Sequence, residues 1–132
     1  MEKTFKEKAT CLKLARDSCL KLHKLLMDRD RALYESEQGA VSAGKFLELL
    51  LSDGRFEWLR ILSTLIVRID ESFDFDDGLS QDMLDGFQRE ILDIFDESSM
   101  EYEDFRLKFR ETLPYVEDGA KIKDEIINLV KW

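Results

Sequence analysis

The sequence predicts an all-α protein, a single bundle of five or six helices, and three observations predict it. Read as a helix, residues 55–73 are apolar on nearly every side except a strip holding Arg60, Thr64, Arg68 and Glu71; such a helix belongs at the centre of a packed bundle. Residues 4–37 contain neither glycine nor proline. No segment sustains the two-residue alternation of a half-buried strand. The length of 132 residues suits one domain over 1–132, and the apolar fraction of 44% is ordinary for a globular chain.

The first helix is expected over about residues 4–37. Phe5, Leu12, Cys19, Leu26 and Leu33 recur every seven residues, with Ala15 and Leu22 between them, an inward seam of bundle type. Cys11, Ser18, Leu25 and Ala32 widen the seam, and Gly39 is the stop. A helix of that length spans about 50 Å, whereas a compact domain of this size is only about 36 Å across. The helix must therefore kink, project, or pair with a second copy, and a homodimer through residues 4–37 is one expectation.

Ser42 is placed to cap a short helix through Ser52, with Phe46, Leu47, Leu50 and Leu51 inward. Asp53 caps the central helix, expected from about Arg55 to Phe73 with Leu59, Leu62, Ile66, Ile69 and Phe73 as its inner seam. Asp74-Phe75-Asp76-Asp77-Gly78 is the clearest loop. Ser80 caps a fourth helix to about Glu97, with Leu84, Phe87, Ile91, Ile94 and Phe95 on one face. Ser98 or Ser99 opens a fifth, carrying Tyr102, Phe105, Phe109 and Leu113, which Pro114 ends. A last helix from about Gly119 turns Ile122, Ile126, Ile127 and Val130 inward.

The pattern Gly44…Phe46-Leu47…Leu50-Leu51…Asp53…Phe56…Trp58-Leu59-Arg60…Leu62-Ser63…Leu65-Ile66…Ile69-Asp70, with Leu22-His23…Leu25-Leu26…Tyr34-Glu35 before it, resembles a family of uncharacterised bacterial all-helical proteins. The resemblance covers about half of the chain. It implies a bacterial, cytoplasmic helical domain and brings no activity with it.

The net charge of −9 is unevenly spread. Residues 1–34 carry nine bases against five acids, whereas residues 70–104 carry fourteen carboxylates against Arg89 alone. Either the basic first helix packs near this acidic quarter and partly neutralises it, or the acidic surface recruits a basic protein partner. Nucleic acid is not an expected partner, because phosphate contacts need clustered Lys and Arg. Nor is a membrane, since no apolar run approaches the roughly 20 residues of a span. Residues 1–8 do not resemble a secretory signal. Cys11 and Cys19 would lie about 12 Å apart on one helix, too far for a disulfide. A cytoplasmic location is expected.

No catalytic or cofactor motif is present, so the expectation is a non-enzymatic interaction or regulatory protein with no cofactor and no metal. His23 is the only histidine, which leaves multi-histidine metal sites without ligands. Cys19 and His23 are one turn apart and could share a metal ion, but Cys19 sits on the inward seam, where a thiol serves as a small hydrophobe. Histidine phosphotransfer through His23 is the specific alternative. There the small residue that such domains place after the His-Lys pair is replaced by Leu25-Leu26. The plainer reading is a partly buried imidazole donating a hydrogen bond. Asp74, Asp76 and Asp77 resemble a calcium loop only superficially: aligned on Gly78, the first, third and twelfth ligand positions hold Phe73, Phe75 and Leu84. Arg60 and Arg68 form either internal ion pairs or a recessed cationic spot for a small anionic ligand. Trp58 either fills core or, if exposed, anchors a partner.

Overall fold

A computed structural model of the chain describes residues 2–96 and 98–132. Six α-helices and two short 3-10 segments, with no strand, make up the regular structure among the described residues: α1 (Phe5–Gln38), α2 (Ala43–Ser52), a 3-10 segment (Gly54–Leu59), α3 (Arg60–Asp74), α4 (Gln81–Phe95), α5 (Glu103–Thr112), a 3-10 turn (Leu113–Tyr115) and α6 (Gly119–Leu129). This is the all-α bundle with a long first helix that the patterning predicts.

α1 is the spine. α3, α4, α6 and the first 3-10 segment all pack on it. Its start is a capping box, in which the Thr4 hydroxyl accepts from the Glu7 N–H and the Glu7 carboxylate accepts from the Thr4 N–H, both at 3.2 Å. Gly39, at φ +91°, stops it. The buried positions are Leu12, Ala15, Cys19, Leu22, Leu26 and Asp30, a period of 3.6 residues rather than 3.5. A strict heptad drifts about 20° per repeat against a straight helix, and over three repeats that drift turns Leu33 outward and brings Asp30 in. Phe5 and Leu33, the two ends of the expected seam, are exposed. The first two turns of α1 extend past its buried seam, which starts at Leu12.

α2 begins at the predicted cap, the Ser42 hydroxyl accepting from the Lys45 N–H at 3.1 Å. Only Phe46 is buried. Leu47 and Leu51, expected inward, are 57% and 70% exposed, because the apolar arc of this ten-residue helix is wider than the face it packs with. The expected central helix is two pieces. The Asp53 carboxylate accepts from the Arg55 N–H at 2.9 Å and the Asp53 carbonyl from the Phe56 N–H at 3.1 Å, which winds Gly54–Leu59 into three-residue turns. Phe56 and Leu59 then stack on one face and enter the core together. From Arg60 the α-helix buries Leu62, Leu65, Ile66, Ile69 and Ser72. Its polar strip lies outward as predicted, joined by Val67.

α4 starts at the predicted Ser80 cap and buries the predicted face of Leu84, Phe87, Ile91, Ile94 and Phe95. It ends at Phe95; the expected last residue, Glu97, lies outside the described residues. Ser98 and Ser99 close α4 instead of opening α5, since the Asp96 carboxylate takes both the N–H and the hydroxyl of Ser98 and the Asp96 carbonyl accepts from the Ser99 N–H. α5 therefore begins later, at Glu103. α6 packs along α1, and Gly119 lets its start close on the turn before it: a Cβ there would meet Leu113 Cδ1 at 2.8 Å. Between α4, α5 and the 3-10 segment lies an aromatic cluster, in which the rings of Phe95, Phe105 and Phe109 meet edge to face at 5.6–6.2 Å and Trp58 joins Phe105 at 5.7 Å.

Candidate functional site

The 3-10 segment presents Trp58 on a rim rather than burying it fully. Its indole N–H donates to Asp30 Oδ2 at 2.8 Å, which fixes the ring plane from behind. One flank of the ring faces a cleft of about 560 Å³ between the 3-10 segment and residues 100–108. Glu57, Glu101, Glu103 and Asp104 line it, with Trp58, Tyr102, Phe105, Ile61 and Met100 as its apolar part and Lys108 at one end. None of these four carboxylates forms an ion pair among the described residues. The Tyr102 hydroxyl donates to Glu90 Oε1 at 3.4 Å, and burial with the Glu90 charge raises its pKa.

The rest of the acidic quarter is divided. Asp70 is held by the Arg16 fork at 2.8 and 2.9 Å, and Asp74 lies in a groove with Lys13, Arg16 and Phe73. There the basic first helix does neutralise acids. Asp96 is spent on the turn after α4, whose hydrogen bonds from Ser98 lower its pKa. Asp76 and Asp77 are exposed in a turn closed by the Gly78 N–H donating to the Phe75 carbonyl at 2.8 Å. No group of three metal-ligating side chains converges among the described residues.

Arg60 and Arg68 commit their donors within the chain. The Arg60 guanidinium donates to the carbonyls of Leu50 and Leu51 at 3.1 and 2.6 Å, closing the C-terminus of α2. Arg68 pairs with Glu90 of α4, the neighbouring-helix partner that a cation near a core requires. Three other cations, Arg29, Arg55 and Lys108, line a cavity that also holds Asp30, the partner of the Trp58 indole. No local sequence signal joins them, as they come from three separate elements. Asp30 did carry one: an aspartate in line with the buried face of α1 must find a partner.

Cys19 is fully buried, and burial pushes its thiol up to about 12, the behaviour of an apolar packing residue. His23 is half-buried and forms no hydrogen bond among the described residues, unlike the expected donor. Burial holds its imidazole below the ordinary value of 6.5. A depressed pKa means that the folded protein binds fewer protons than the unfolded chain. The stabilisation is therefore complete above 6.5 and is lost as pH falls through the folded value. Because His23 is the only histidine, His23→Gln is expected to flatten the fall in thermal midpoint between about pH 7 and 5. An unchanged slope in the variant would assign that pH dependence to other groups.

No protein-family model, curated protein or solved structure matches this chain. No described helix is long and apolar enough to cross a membrane.

Proposed function

We propose that this protein is a non-enzymatic interaction module that receives a basic segment of a partner protein in the cleft beside Trp58. One observation carries the reading: four carboxylates without ion-pair partners, Glu57, Glu101, Glu103 and Asp104, surround the open flank of a tryptophan whose plane is fixed by Asp30. Arginine and lysine side chains suit such a place twice over. Their charge meets the carboxylates, and their stems or guanidinium planes lie against aromatic rings. A rigid, part-exposed tryptophan is a common binding anchor, since it offers contact area at little cost in side-chain freedom.

The test uses a short synthetic peptide rich in Arg and Lys, followed by Trp58 fluorescence in a Trp132→Phe background. Binding is expected to weaken about tenfold when salt rises from roughly 0.05 to 0.3 M, as contacts between exposed charges are screened. The double reversal Glu101→Lys with Asp104→Lys is expected to weaken it by a similar factor. Reversing Asp76 and Asp77, which carry the same charge outside the cleft, is expected to change it less than twofold. Equal losses from the two reversals would reduce the interaction to the overall charge of −9, and binding indifferent to both would remove the cleft as the site.

A further inference from the structure

Behind Trp58 lies a second cavity of about 280 Å³, walled by α1, the 3-10 segment, α5 and the turn after it, near the small end of ligand-site volumes. At its wall is Asp30, 9% exposed. One Asp30 oxygen is taken by the Trp58 indole; the other accepts no hydrogen bond among the described residues. Arg55, Lys108 and Arg29 all act on that carboxylate through space, yet none pairs with it. Arg29 lies over the Tyr115 ring at 4.2 Å, Arg55 is held by Glu37 at 2.9 Å, and Lys108 forms no ion pair among the described residues. Glu111, on the same wall, is likewise unpaired.

α1 thus brings Arg29 and Asp30, and α5 brings Lys108 and Glu111, one base and one acid each, to a space that these charges do not close. A simple anion would meet Asp30 and Glu111, and a simple cation would meet Arg29 and Lys108. A small molecule carrying both charges matches both kinds of group. We infer that this cavity binds a small zwitterion of the free amino-acid class, its ammonium against Asp30 and Glu111 and its carboxylate against Lys108 and Arg29. The inference does not rest on the basic-partner reading, although Lys108 lines both spaces.

The experiment is a thermal-shift screen of the intact protein with each of the twenty standard amino acids, methylammonium acetate serving as the disconnected pair of charges. At ten times its Kd, a ligand confined to the folded state is expected to raise the midpoint by about 5 °C. Methylammonium acetate at the same concentration is expected to leave it in place. Two substitutions locate the site: Lys108→Met, at an exposed position, and Asp30→Asn, which retains an acceptor for the Trp58 indole. Loss of the shift in both, with the unliganded midpoint still measurable, supports the assignment. No shift with any amino acid, an equal shift with methylammonium acetate, or a shift that survives either substitution overturns it.

Discussion

Phe56→Ala is expected to lower the stability of this protein by about 4 kcal/mol, the usual cost of truncating a fully buried aromatic side chain. Phe56 has no exposed surface and holds three elements together. Its ring meets Phe46 of α2 edge to face at 5.4 Å and Tyr34 of α1 at 5.8 Å, contacts that add to simple area burial. The 3-10 winding directs the ring there, so the cavity left by truncation opens where α1, α2 and the turn meet and none can close it alone. For a chain of this length the expected fall in thermal midpoint is roughly 15 °C, with an unchanged denaturant slope. Phe56→Leu is expected to lose about 1.5 kcal/mol, and Leu51→Ala, on the exposed face of α2, under about 0.5 kcal/mol. Urea melts of the three variants check the ordering. A Phe56→Ala loss no greater than that of Leu51→Ala would mean that α2 and the 3-10 segment are not part of the cooperative core.

These contrasts also mark what patterning can and cannot resolve. The caps Ser42, Asp53 and Ser80 were legible because each offers a side-chain oxygen just before an apolar run, and each accepts from a backbone N–H at its helix start; the Thr4 capping box, before the charged Phe5–Lys8, was not read. The inner face of α4 was legible because it has apolar residues on one side only. On α2 Phe46, Leu47, Leu49, Leu50 and Leu51 span an arc broken only by the narrow strip of Lys45, Glu48 and Ser52, and which leucines are covered depends on neighbours far along the chain. On α1 the heptad reading placed Leu33 inward, whereas the helix spends that turn on Asp30. The 3-10 winding of Gly54–Leu59 was not legible, since spacing of three fits both helix types over so few residues. The cleft and the cavity were hidden for a simpler reason: Asp30, Trp58 and Lys108 share no element and meet only once the helices have packed.

Arg106 gives the second large effect and connects stability to the cleft. It is 7% exposed, and its guanidinium donates to the carbonyls of Asp93 at 2.8 Å, Ile94 at 3.5 Å and Ser99. The first two belong to the last turn of α4, whose carbonyls have no intrahelical partner and carry the negative end of the helix dipole. The third belongs to the segment leading to Met100 and Tyr102, one wall of the acidic cleft. Arg106→Met retains the apolar stem and removes every donor, so these carbonyls lose their partner in a mostly dry setting. The expected loss is about 3 kcal/mol, less than the sum of the individual bonds because the guanidinium no longer has to be desolvated. Arg106→Lys keeps the charge near the helix end without the fork and is expected to recover about half of that loss. The amides of the last turn of α4 should exchange with solvent faster in Arg106→Met, even when global stability is restored by a cosolvent. If the basic-partner reading holds, peptide affinity falls too, because Glu101 and Tyr102 are no longer held opposite Trp58. A Met variant within about 0.5 kcal/mol of the parent, with unchanged exchange in α4, would show that water serves these carbonyls as well as Arg106 does and that the cleft wall is held by other contacts.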